Sequence, residues 1–225
     1  LRADGLSRVY RISLMTPDLS GLDVNGLLPL WAGGISADQQ AGLMKLVSSQ
    51  SHFRRPNGLT MISASEAHFD PSNANGAGGV WPYWMTLIAE GLIEAGHSRE
   101  AARLLRDLLA LQVDLLARDG HFHQFYHSDQ PQGLGQSDRL DGLVPLRLLM
   151  QLIGVRIVSS GKVWTGGPFG WGRTVTIAQH GAHVRRTTRS ITVDFPSGHQ
   201  VKLDKDAPWQ AVVDPQAVNL PVIQP

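Results

Sequence analysis

The chain has no cysteine among its 225 residues. Disulfides and thiolate chemistry are therefore excluded, and the redox compartment cannot be read from thiol usage. Long apolar runs are missing too, and nothing approaches the roughly 20 residues that a membrane-spanning helix needs. Charge of one sign is also scarce. The 20 basic and 19 acidic residues leave a net charge of +1, so no nucleic-acid or anionic-membrane partner is expected. The cluster Arg185, Arg186 and Arg189 is too short to change that. No signal peptide opens the chain. It starts at Leu1 rather than Met, which reads as a fragment or processed chain, and a cytoplasmic location is the expectation.

What is present suits an ordinary globular protein: 42% apolar and 17% charged residues are far from a disordered composition. Residues 1–37 read as loop with short ordered pieces. Ser36 is a natural N-cap for a helix over Ala37–Ser49. Residues 51–80 form a long polar connection with "RRPNGL" and "DPSNANGAGG". "WPYWMTLIAEGLIEAG" places Pro82 in a first helical turn and Gly96 at the stop. "SREAARLLRDLLALQVDLLARDG" follows, with Ser98 as the expected cap. The short joint predicts an antiparallel helical hairpin. A further helix is expected over about 140–153, with Asp141 as its cap. After Val155 the segments become short and β-branched, separated by Gly and Ser, which predicts a small antiparallel β module. "DPQAVNLPVIQP" reads as an extended terminal strap. "GPFGWG" lacks the Lys-Ser/Thr of a phosphate-binding loop and reads as a turn whose Phe169 and Trp171 pack inward.

Between the second long helix and the next lies "GHFHQFYHSDQPQGLGQSD", residues 120–138. Its His121, His123 and His127 have a spacing that a curled loop could bring round a zinc ion. In an extended segment, however, alternate residues face opposite sides, and no metal or other cofactor is expected.

Four stretches in order, "LLPLWAGGISADQQAGLMKLV", "F-RRPNGLTMIS", "GGVWPYWMTLIAEGLIEAG" and "FHQFYHSDQPQGLGQSDRLDGLVPLRLL", resemble the later part of the (α/α)₆-barrel glycosidases. The similarity is to glycoside hydrolase family sixty-three and the mannosylglycerate-hydrolase-like proteins, with trehalases and glycogen-debranching glucosidases as cousins. It spans residues 24–153. It implies a mainly α fold: the C-terminal part of an (α/α)₆ toroid of helical hairpins over residues 1–153, followed by a small β-rich module over 154–225. A full barrel needs twelve helices, so the resemblance also implies that an N-terminal half-barrel of the same protein, bearing the general acid, is the missing partner.

The family pattern "F-E-YD" becomes Phe122-His123-Gln124-Phe125-Tyr126-His127. Gln124 stands where the family carries its catalytic glutamate. Inverting hydrolysis needs one carboxyl to protonate the leaving oxygen and another to deprotonate water. An amide keeps the shape of that base but not its basicity. The ligand implied is a carbohydrate, an α-glycoside. Trp81 matches the tryptophan of the family's "VWP", where a flat indole can stack on a sugar ring. Trp31, Arg54, His68, His123, Tyr126 and His127 are the other candidate sugar contacts. Glu66 and Asp70 are alternative bases, and His123 or His127 could also substitute, since imidazole titrates near pH 6.5. Two rival functions stay open: a non-catalytic carbohydrate-binding homologue, and a phosphorylase-like activity in which Arg54 and Arg55 hold the phosphate.

Overall fold

The structure, a computed structural model, describes residues 21–74 and 76–217. The start of the expected N-terminal loop and the end of the expected strap lie outside these residues. The chain folds as α1 (Pro29–Ala32), α2 (Ala37–Ser48), β1 (Arg54–Arg55), β2 (Gly58–Leu59), α3 (Pro82–Glu94), α4 (Ser98–Asp119), β3 (His123–Tyr126), β4 (Gly133–Ser137) and α5 (Leu146–Ile153). Seven further strands follow: β5 (Val155–Ser159), β6 (Lys162–Thr165), β7 (Val175–Gln179), β8 (Ala182–Arg186), β9 (Ser190–Asp194), β10 (Gln200–Asp204) and β11 (Gln210–Val213).

The mainly α toroid is overturned. Five helices account for 34% of the chain and four sheets for 26%, a mixed α and β composition. Three physical causes account for the difference. Both long connections close into hairpins, β1–β2 and β3–β4. Pro145 interrupts the helix expected over about 140–153, so only a 3₁₀ turn at Leu140–Gly142 and the eight residues of α5 remain helical. The β-branched tail then contributes two more sheets.

The helices form for local reasons. Ser36 and Gln39 make a reciprocal capping box at α2. Pro82 occupies the first turn of α3, where its missing N–H costs nothing. α3 and α4 are antiparallel neighbours across Gly96, whose φ of +83° suits only glycine comfortably. Their facing stripes bury Met85, Ile88 and Leu92 against Leu104, Leu105 and Leu108. Each such side chain contributes about 2 kcal/mol. α1 crosses α3 at Gly91, where an added Cβ would lie 2.5 Å from the Leu30 backbone.

A second core gathers Ile157, Val163, Val184, Ile191, Val193 and Phe195 between a four-stranded sheet, ordered β10-β9-β8-β7, and a three-stranded sheet, ordered β11-β6-β5. Both sheets are antiparallel. At the seam between the two cores lies Arg186, only 1% exposed. Its guanidinium donates to the carbonyls of Ile153 (2.9 Å), Gly154 (3.1 Å) and Gly166 (2.8 Å), and to that of Gly167. Trp171 packs against both cores, and its ring lies 5.8 Å from the Arg106 guanidinium carbon.

Candidate functional site

Gly120, in the left-handed conformation, ends α4 and releases the chain into the β3–β4 hairpin. The register of that hairpin slips between His123 and Phe125. Gln124 therefore stands at a bulge, a device that re-aims a side chain. Its Oε1 lies 3.5 Å from the Gln136 N–H. Gln124 also lies near enough to the Asp141 carboxylate to help lower it. Asp141 in turn takes two parallel 3.0 Å bonds from Arg139, and Arg139 reaches Gln136 Oε1 at 3.1 Å. The Arg139 guanidinium, and to a smaller extent Gln124, holds the Asp141 carboxyl below the usual range. Gln124 thus sits in a polar ring with one cation and one carboxylate. The sequence predicts Asp141 as the cap of the following helix. Instead α5 starts after Pro145 without a side-chain cap, and Asp141 belongs to this ring.

Beside Gln124, Phe125 stacks on Trp81 with ring centroids 4.4 Å apart and planes 11° from parallel. Trp81 is held there because Val80 exchanges both backbone hydrogen bonds with Tyr126, at 2.8 and 2.9 Å. Trp81 and Trp84 line a cleft of about 410 Å³, with Asp23, Asn25 and Asn73 on its walls. Gly135, at φ +73° within β4, lies against the Phe125 and Gln124 side chains. An added Cβ there would lie 2.6 Å from the Phe125 ring and 2.9 Å from Gln124 Oε1.

The other candidate residues take different positions. Tyr126 is fully buried. Its hydroxyl donates to Gly142 O at 3.0 Å and accepts from Gln112 Nε2 at 3.1 Å, and burial pushes its phenol up. His127 is buried, and its Nδ1 accepts from the N–H groups of Asp129 and Gln130, both at 3.1 Å. That nitrogen caps the hairpin turn and is committed as an acceptor. His123 packs on Gly133 and meets Tyr126 edge-on at 6.4 Å. Its Nε2 is 3.9 Å from Asp119 and has no hydrogen-bond partner. His121 pairs with Asp138 at 2.8 Å. The three histidines thus go to three different places, and no group of metal-ligating side chains occurs among the described residues.

Glu66 accepts the Leu22 N–H at 3.0 Å. Asp70 accepts the N–H groups of Ser72 and Ala74, both at 2.9 Å, and so folds its own loop. His68 is exposed in the same loop. Arg54 pairs with Asp107 on α4 and donates to Arg55 O at 2.6 Å. Arg55 pairs with Asp129 at 2.7 Å. Trp31 is half exposed, and its indole N–H donates to Glu90 at 3.3 Å. Glu90 is nine residues along α3 from Trp81, about 13 Å at the helical rise, so that indole is not brought to the Trp81 cleft.

Sequence reasoning missed Phe125 as the stacking partner, Arg139 as the partner of Asp141, and Gln112 beneath the hairpin. The Arg-x-Asp spacing at 139–141 was the one available signal. Gly142 packs directly on the hairpin, and an added Cβ would sit 1.8 Å from His123 O. Backbone cannot yield as a side-chain tip can. Gly142→Ala is expected to cost about 3 kcal/mol, read as a lower denaturant midpoint with an unchanged slope.

Residues 12–139, over half of the chain, match the mannosylglycerate hydrolase MGH1-like glycoside hydrolase domain. The chain therefore belongs to this glycoside hydrolase family. Among solved structures it is similar to the GH63 mannosylglycerate hydrolase from Thermus thermophilus in complex with glucose, with 28% identity, 52% of this chain and 26% of that one covered, and a TM-score of 0.43. It is also similar to a sialidase, with 12% identity, 88% of this chain and 21% of that one covered, and a TM-score of 0.55. The latter likeness is one of fold. No curated protein matches the chain. The chain spans about a quarter of the length of these solved structures.

Proposed function

We propose that this glycoside hydrolase-family chain binds an α-linked saccharide at the Trp81 cleft and the adjoining Gln124 hairpin, with its water-activating position altered. The Trp81–Phe125 stack next to a bulged Gln124 carries this reading. An aromatic wall with a few convergent polar groups suits a pyranose, whose ring faces are apolar and whose rim carries hydroxyls. Gln124 orients water or a sugar hydroxyl but takes no proton from it. Asp141, the carboxylate it contacts, is occupied by Arg139. Glu66 and Asp70 are used as backbone acceptors. Neither is free to deprotonate water without unfolding its loop. The general acid, and the polypeptide that bears it, come from outside these residues. Phosphorolysis is disfavoured because Arg54 and Arg55 are already paired with Asp107 and Asp129.

The reading is tested with α-glucosyl and α-mannosyl fluoride, whose leaving group needs no protonation. A small external nucleophile such as azide bypasses the missing base. Azide is expected to raise fluoride release by about 10² and to yield the glycosyl azide of inverted configuration. Binding of the sugars without azide-dependent release would favour the non-catalytic homologue. Neither binding nor release would sink both readings.

A further inference from the structure

A groove of about 800 Å³ lies where the helices meet the β module. Its walls come from the end of α3, from α5, from the start of β5 and from Trp209, just ahead of β11. It shares no residue with the Trp81 cleft or the β3–β4 hairpin. The apolar part of the wall is Ile93, Leu146, Met150, Val155 and Pro168. Leu146 is 69% exposed and Trp209 47%. Exposed apolar side chains gathered in one groove, unlike scattered ones, mark a binding surface.

The placing of Trp209 follows from strand alternation. Ile157, Val163 and Val212 point into the second core. Their neighbours Arg156, Trp164 and Ala211 therefore face outward, and they are paired across the three strands. Trp209, two residues ahead of Ala211, meets Trp164 on that face, with ring centroids 6.2 Å apart and planes 18° from parallel. The backbone before it is clamped. The Gly167 N–H donates to Ala207 O at 2.9 Å, and an added Cβ at Gly166 would lie 2.2 Å from Pro208 O. Arg186 holds the carbonyls of both glycines. Trp209 is thus a positioned indole wall and not a loose surface side chain.

Polar groups on the wall are uncommitted. Glu94 and Arg156 are exposed, and neither makes a hydrogen bond or ion pair among the described residues. Arg147 lies 3.4 Å from Glu90 Oε1, while Glu90 Oε2 accepts the Trp31 indole N–H, which ties Trp31 to the margin of this groove. With Arg147 matched by Glu90, one carboxylate and one guanidinium remain, and no net charge selects an anion or a cation. The carboxylate needs an O–H or N–H donor, and the guanidinium needs an acceptor. A sugar hydroxyl is both, and an indole face takes the apolar face of a pyranose. A mainly apolar lining, a few polar groups, this volume and a place between two cores are the features of a small-molecule site.

We propose that this groove is a second saccharide site, in which Trp209 stacks on a ring of a neutral oligosaccharide while Glu94 and Arg156 bind its hydroxyls. The ligand class rests on the saccharide reading of the Trp81 cleft; the geometry does not. The test is calorimetric titration of the 225-residue chain with maltohexaose, and with a galacturonate oligomer in parallel. Two sites per chain are expected, one lost in Trp81→Ala and the other in Trp209→Ala. In the Trp81→Ala background, Glu94→Gln and Arg156→Gln change exposed side chains without partners, so folding is expected to be unaffected. Each is expected to weaken the remaining site about tenfold. A single site that survives Trp209→Ala and disappears with Trp81→Ala would uphold the Trp81 reading and overturn this one. A single site lost only in Trp209→Ala would uphold the groove and remove the cleft. A single site lost in either variant would mean one continuous site and overturn a second. A remaining site indifferent to both polar substitutions would also overturn the proposal. So would preference for the galacturonate oligomer, or self-association through Trp209 with no sugar bound. No binding of maltohexaose at all would overturn both readings.

Discussion

Gln124→Glu is expected to raise hydrolysis of an α-glycosyl fluoride by about 10²–10⁴ over the wild-type chain. The substitution changes one group in a site whose other contacts stay in place. A glutamate has the same reach and would meet the Gln136 N–H that now faces Oε1. It would also stand near Asp141, whose carboxyl Gln124 now helps to lower. A neighbouring like charge raises a carboxyl, towards the range in which a general base works near neutrality. The gain is expected to appear on the alkaline side, since a base acts only once deprotonated. Rate should therefore climb as pH rises through its pKa and then level off. A variant that folds, binds sugar and hydrolyses the fluoride no faster than wild type would remove the lost-base account.

The second large effect concerns Arg186, far from that hairpin. Burial pushes its guanidinium down to about 10, so it stays charged at neutral pH. No carboxylate faces it among the described hydrogen bonds. Four carbonyls hold it instead. Arg186→Met keeps most of the stem volume and removes every donor. Gly154 O retains Thr165 and the Gly166 N–H, but the carbonyls of Ile153, Gly166 and Gly167 lose theirs. Two buried acceptors and one part-buried acceptor left unpaired are expected to cost about 4 kcal/mol, and the melting temperature to fall by roughly 10 °C. Arg186→Lys is expected to recover only part, because an ammonium cannot span four carbonyls in one plane. A shift within about 2 °C for the methionine variant would show that the seam does not depend on this residue.

Much of the local structure could be read from the residues. Ser36 with Gln39, Pro82, Gly96 and the leucine spacing of α4 each state their element in short-range chemistry. The fold class could not be read the same way. The β3–β4 strands have four and five residues, too short for alternation to register, and a bulge breaks even that. β1 and β2 have two residues each. Such strands exist because tertiary neighbours pair them, as Val80 does for Tyr126. The family resemblance drew attention to residue 124 but could not say what surrounds it. That Phe125 would meet Trp81, 44 positions earlier, depends on the docking of the hairpin and not on spacing. Tyr126 and His127 looked like sugar contacts because of their residue types. Burial turned one into a core hydrogen-bond hub and the other into a turn cap.

The hairpin is pinned from below by Tyr126, Gln112 and Gly142, bonded to one another at 2.6–3.1 Å. None of these bonds involves the side chain of residue 124. Evolution can therefore exchange acid for amide at that position while leaving the fold untouched. Gln and Glu codons differ by a single nucleotide, so the change is as easily undone as made. On the proposed function, a lineage carrying this hairpin crosses between an enzyme and a binder without passing through an unfolded intermediate.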